Sequence, residues 1–176
     1  MIHHKQGVAL PPLQLHVDQK AYVQQYQGLL KGDLSIEDLV KLFIGGVDFC
    51  IKYNYPTLDF MREHFKGKSE PYGAFVDDEI VEPLVNVPDV VMNGDCKAMA
   101  EYNGFTVSRI FARHNTQMSV NVADHAIVTI DAFDNTFLAI AVSGSDAQVI
   151  VNLYGDAKVD CIGTGINVIN KNQNTY

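Results

Sequence analysis

QMSVNVADHA IVTIDAFDNT FLAIAVSGSDA QVIVNLYGDA, residues 117–157, is four consecutive units of ten or eleven residues that repeat one pattern. Each unit has apolar residues at its second, fourth and sixth places, then a polar turn that closes on Ala or Thr. A period of two nested inside a period of ten predicts short strands joined by tight, regularly spaced corners. One such unit is too short to wind round a core. Two in succession give coils of about 20 residues, the size of a flattened β-solenoid.

The corners support that pairing. Arg113, Phe133 and Tyr154 place a bulky residue at every second corner, whereas the corners between them, ADHA and SGSDA, carry nothing large. Coils then span residues 97–116, 117–136 and 137–157. Met118, Val120, Val122, Val128, Ile130, Ala132, Leu138, Ile140, Val142, Val149, Val151 and Leu153 point inward. The expected fold is mainly β with an N-terminal helical part, a solenoid with two strands per coil; an antiparallel β barrel or meander fits the same spacing.

The repeat fades in both directions. Upstream, KAMAEYNGF and TVSRIFARHNT keep the strand and corner pattern from residue 97, after a corner at Gly94, Asp95 and Cys96. Downstream, KVDCIGTGIN from Lys158 is a degraded unit, and VINKNQNTY loses the pattern. The chain therefore divides into residues 1–89, an extended lead-in plus a helical cap or docking region, and residues 90–176, the solenoid.

Within the first part, Pro11 and Pro12 exclude a helix, so residues 1–17 are expected to be extended. Asp18 can cap a helix reaching about Lys31, with Gly32 as its stop. Ser35, with Asp38 three residues on, starts a stronger helix that carries Leu39, Val40, Phe43, Val47, Cys50 and Ile51 on one face. Gly45 and Gly46 interrupt it and mark a bend or a close packing contact. Asn54 and Pro56 break the chain before a third helix, PTLDFMREHF. Residues 67–89 read as an irregular connection, with Asp77, Asp78 and Glu79 as a solvated acidic face.

Several activities lack their residues. Net charge is −8, and residues 117–157 hold five Asp and no Lys or Arg, so direct nucleic-acid binding is not expected. Cys50, Cys96 and Cys161 have neither disulfide-framework nor zinc spacing. His3, His4 and His16 lack a third ligand, Glu63–His64 lacks the second His of a zinc-protease helix, and Asp124 beside His125 lacks a nucleophile to complete a dyad. Asp124, Asp134, Asn135, Asp146 and Asp156 recur at corners, where they are expected to accept hydrogen bonds from turn amides rather than to form a catalytic carboxylate pair. No catalytic, cofactor-binding or metal residue is assigned, and no cofactor is expected. Without a signal-peptide pattern or a long apolar run, the expectation is a protein with no membrane partner, cytoplasmic, or in the virion if phage-encoded.

The corners FDNT, SGSDA and LYGDA resemble the short β-solenoid repeats of uncharacterised proteins from gut bacteria and their phages. LFIGGVDFCIKYNYPTLDFMREHF followed by the ARHNT corner is similar to the helical preface of that group. The resemblance implies a fold and a setting more than an activity. Combined with the residue reading, it leads to a non-enzymatic structural or protein-interaction protein, with a phage particle component among its forms, that uses the solenoid as spacer or contact surface. The alternatives are a carbohydrate-active or carbohydrate-binding β-helix and an acidic nucleic-acid mimic. Outward places hold Ile127, Phe137 and Ile150, the expected interaction residues of a homo-oligomer or larger protein assembly.

Overall fold

Alternating apolar places put one face of every unit in the core, and the computed structural model, which describes residues 34–176, forms strands at those places. The expectations for residues 1–17, for the helix from Asp18, and for His3, His4 and His16 fall outside the described residues. The strands are β1 (Ala74–Val76), β2 (Leu84–Val85), β3 (Asp89–Asn93), β4 (Lys97–Tyr102), β5 (Val107–Ala112), β6 (Gln117–Val122), β7 (Ile127–Ala132), β8 (Phe137–Val142), β9 (Gln148–Leu153), β10 (Lys158–Ile162) and β11 (Ile166–Asn170). Odd-numbered strands form one six-stranded sheet in the order β1-β3-β5-β7-β9-β11, and even-numbered strands a five-stranded sheet in the order β10-β8-β6-β4-β2. All their pairings are parallel. This is a β-solenoid with two strands per coil, and the antiparallel alternative is excluded.

Register follows the repeat. Met118 stands beside Leu138, Val120 beside Ile140, and Ile110 beside Ile130, each inside the stack. The closing residues of the units, Thr116, Ala126, Thr136, Ala147 and Ala157, are buried as well, which explains why each must be small: at a corner the two sheets converge. Thr116 and Thr136 donate their hydroxyls to backbone carbonyls at 2.8 and 3.1 Å, so their burial strands no polar group.

The solenoid is longer than the repeat suggests at both ends. Residues 67–89 were expected to be irregular, yet they contain β1 and β2 and lead directly into β3. Of the acidic run, Glu79 is exposed, but Asp77 and Asp78 are half-buried and paired rather than solvated. Asp77 is clamped by Arg62 at 2.6 Å and accepts the Asp95 N–H at 2.8 Å, while an Asp78 carboxylate oxygen accepts the Val76 N–H at 3.0 Å. The Arg62 guanidinium holds the Asp77 carboxyl below the usual carboxylate range. At the other end, Gly163–Thr164–Gly165 make a shorter turn, and β11 still pairs with β9 through Ile166 beside Val149.

Among the described residues, three α-helices flank the odd-numbered sheet: α1 (Ile36–Gly45), α2 (Val47–Tyr53) and α3 (Leu58–His64). Ser35 caps α1 by accepting the Asp38 N–H at 3.2 Å and donating to the Asp38 carboxylate at 2.7 Å. Gly46 ends α1 and begins α2, so the glycine pair is a bend; a Cβ at Gly45 would meet open space, which removes the close-packing explanation there. Leu39, Val40, Phe43, Val47, Cys50, Ile51, Met61 and Phe65 form a second core with Val91, Phe111, Phe133 and Tyr154 of the solenoid. The bulky corner residues thus have a structural role. Phe133 and Tyr154 stack at 4.6 Å, and Arg113, two coils before Tyr154, donates to Asn54 at 3.2 Å and Asn93 at 3.4 Å. Among the described residues, no helix is long and apolar enough to cross a membrane.

Candidate interaction surface

Corner Asp and Asn were expected to accept hydrogen bonds from turn amides, and Asp124 and Asp134 do. The amides belong to the preceding coil: His114, Asp124 and Asp134 adopt left-handed backbone, and each side chain reaches back one coil. Gly94 N–H donates to His114 Nδ1 at 2.9 Å, Gly104 N–H to Asp124 at 2.8 Å, and His114 N–H to Asp134 at 2.9 Å. The corner residues are rungs that tie successive coils together. Burial and the Arg113 cation push the His114 imidazole down to about 4, which keeps it neutral and able to accept.

These ties leave little for acid–base or nucleophilic chemistry. Asp124 faces Gly104 rather than poising His125, whose Nδ1 lies 3.7 Å from Asp146 of the next coil. Burial pushes the Cys50 thiol up to about 12 and raises Cys96 as well, the opposite of an activated thiolate. Among the described residues, no group of three or more His, Cys, Asp or Glu is placed to hold a metal ion.

What the solenoid does present is apolar surface. The helices cover the Phe111 end of the odd-numbered sheet, and the opposite end of the same strands stays open. There Val107 and Ile127 are direct neighbours on β5 and β7, exposed by 67% and 39%. Ile150 follows on β9 beside Thr129, and Phe105, 83% exposed, stacks on the His125 ring at 4.6 Å from the adjoining corner. Phe105, His125, Val107 and Ile127 therefore make one strip running along the stack, with Ile150 at its side on β9, diagonal to Ile127, whose direct neighbour there is Gln148.

Of the three expected contact residues, Ile127 and Ile150 come together in this strip. Phe137 does not. It lies on the even-numbered sheet between Gln117 of β6 and Lys158 of β10, an isolated apolar side chain in a polar column. Phe105 and Val107 were not anticipated. The signal for Val107 was available, since it occupies the same place in its unit as Ile127; a bulky apolar residue in the NGFT corner was the signal for Phe105.

No protein family, curated protein or solved structure matches the chain.

Proposed function

We propose that this protein is a non-enzymatic interaction module, in which the solenoid is a rigid spacer and the strip Phe105, Val107, Ile127 and Ile150 is its lateral contact surface. The observation that supports this most is the exposure of Val107 on a regular sheet, and of Phe105 at the corner leading into it, beside a packed helical region. The helices could have covered these residues, and they stop short of them. Contiguous apolar side chains on a rigid face are the usual form of a protein contact site.

The other readings have less support. A nucleic-acid mimic needs regular outward acids, but Asp131 is held by Asn152 and Tyr176, while Glu101 and Asp160 lie on strands separated by β6 and β8. A polysaccharide-active β-helix needs carboxylates flanking a groove, and Asp124 and Asp134 are hydrogen-bonded along the stack instead. The phage-particle setting implied by the resemblance is a place where such a spacer fits. Density-gradient fractionation of cells that make the protein natively is the test: it should travel with a larger assembly, and Val107→Lys with Ile127→Lys should release it. Migration as a free species in both forms would overturn the reading.

A further inference from the structure

The two ends of the stack differ in a way that the lateral strip does not use. At the amino-terminal end both sheet edges are closed. On the odd-numbered sheet, Ser69 donates its hydroxyl to the Ala74 carbonyl at 2.7 Å, Lys66 Nζ donates to the Val76 carbonyl at 2.8 Å, and Asp78 accepts the Val76 N–H. On the even-numbered sheet the edge strand β2 has only two residues, with Pro83 immediately before it and Pro88 shortly after. Short edge strands, prolines and occupied carbonyls are the devices that prevent edge pairing.

The carboxy-terminal end has none of them. β10 and β11 are five residues each and contain no proline. Val159 and Cys161 continue the inward columns of Leu138 and Ile140, and Ile166 and Val168 those of Val149 and Val151. Yet Cys161 is exposed and Val168 is 42% exposed, because β10 and β11 are the edge strands of their sheets. The chain beyond β11 does not cover them. It turns back along the corner, where Gln173 accepts the Gly155 N–H and the Tyr176 ring packs on Phe133 and Tyr154.

We infer that this end joins a second copy of the chain, β10 pairing antiparallel with β10 across a two-fold axis so that Lys158 of each copy faces Asp160 of the other. A closed amino-terminal end cannot receive an open carboxy-terminal one, so head-to-tail stacking is blocked and only like ends can meet, which gives a closed dimer. The register follows from backbone direction and charge. Lys158 N–H already donates to Thr136, and in a parallel ladder Lys158, Asp160 and Ile162 point their backbone groups at β8, leaving those of Val159 and Cys161 facing the open side. Three antiparallel registers use those free groups. Centring on Asp160 sets two carboxylates face to face, and centring on Cys161 sets Asp160 against Ile162. Centring on Val159 sets Lys158 against Asp160 twice, the one register with complementary charge. With the axis perpendicular to the sheets, β11 meets β11 of the second copy and covers Ile166 and Val168.

Sedimentation of the full chain at micromolar concentration tests this. The wild type is expected to be a dimer, and Asp160→Lys or Lys158→Asp, which place like charges opposite each other, should each weaken it about tenfold or more. Mixing those two variants should produce a heterodimer, and the double exchange Lys158→Asp with Asp160→Lys should dimerise like the wild type. Val159→Pro should give a monomer whose melting transition is retained, since the Val159 N–H points to the open edge and proline there removes no bond to β8. Ile127→Lys should leave the dimer intact, so failure of the lateral reading and failure of this one are distinguishable. A monomeric wild type, a dimer indifferent to both Asp160→Lys and Val159→Pro, or a monomer that dimerises only after removal of residues 1–33, showing that those residues cover the edge, would each overturn it.

Discussion

Gly94 and His114 are 20 residues apart in sequence and one coil apart in space, joined by a 2.9 Å hydrogen bond from the Gly94 N–H to His114 Nδ1. That bond exists only while the imidazole is neutral, which links a corner of the solenoid to pH. The folded-state value is pushed down to about 4 from an ordinary 6.5, so the unfolded chain binds the proton first. Stability from this group is full above pH 6.5 and is lost as pH falls toward 4, by on the order of 2 kcal/mol once solvent screening at a half-buried corner is allowed for. His114→Asn keeps an acceptor and tolerates the left-handed backbone. Thermal melts between pH 7 and pH 4 should fall less steeply for that variant than for the wild type, and equal slopes would remove His114 from the account.

Replacing Ile130 with Asp should unfold the solenoid. Ile130 is fully buried in the middle of the stack, between Ile110 and Val151, and a carboxylate there finds no partner. An unpaired buried charge costs several kcal/mol, a large share of the stability of a domain this size. Circular dichroism should show loss of the cooperative melt at 25 °C or a strongly lowered midpoint.

Tyr102→Phe should do the reverse. The Tyr102 ring is 1% exposed inside the stack and its hydroxyl has no hydrogen-bond partner. Removing a buried hydroxyl that is already unsatisfied returns its desolvation cost, so the variant should be as stable as the wild type or more so, by about 1 kcal/mol. A clear loss in denaturant titration would mean that the hydroxyl has a partner, such as an ordered water.

Tyr176→Ala should loosen the carboxy-terminal coils. The ring makes edge contacts with Phe133 at 5.4 Å and Tyr154 at 5.3 Å, and its hydroxyl donates to Asp131. Loss of the aromatic contacts and of that hydrogen bond should cost roughly 1 to 3 kcal/mol. Hydrogen exchange read by mass spectrometry should show faster exchange in β9 and β11, with β4 and β6 unchanged.

Much of this fold was legible because the solenoid is built from local alternation. The strands at 117–122, 127–132, 137–142 and 148–153 coincide with the units read from the sequence, and the extra residue of FLAIAVSGSDA is absorbed in its corner, which makes Ile127 the neighbour of Gln148. The first coil was hidden because β1 and β2 are short and Pro83 and Pro88 signal a loop. β11 was hidden by a turn shortened to Gly163–Thr164–Gly165. Neither the reach of His114 to the preceding coil nor the return of Tyr176 to Asp131, 45 residues away, leaves a periodic trace. For the surface, alternation identified Ile127, Phe137 and Ile150 as outward. The two-strand coil also placed Ile127 and Ile150 on one side and Phe137 on the other, as the sheets confirm; what it left open was which stretch of that side the helices cover.

The claim that one particular face of the solenoid is the contact surface is tested most directly by site-specific photo-crosslinking in cells that make the protein natively. A photoreactive side chain at Ile127 should give covalent adducts with another protein chain, and the same group at Asn121, exposed on the opposite sheet, should give none. Adducts from both positions alike, or from neither, would contradict the assignment.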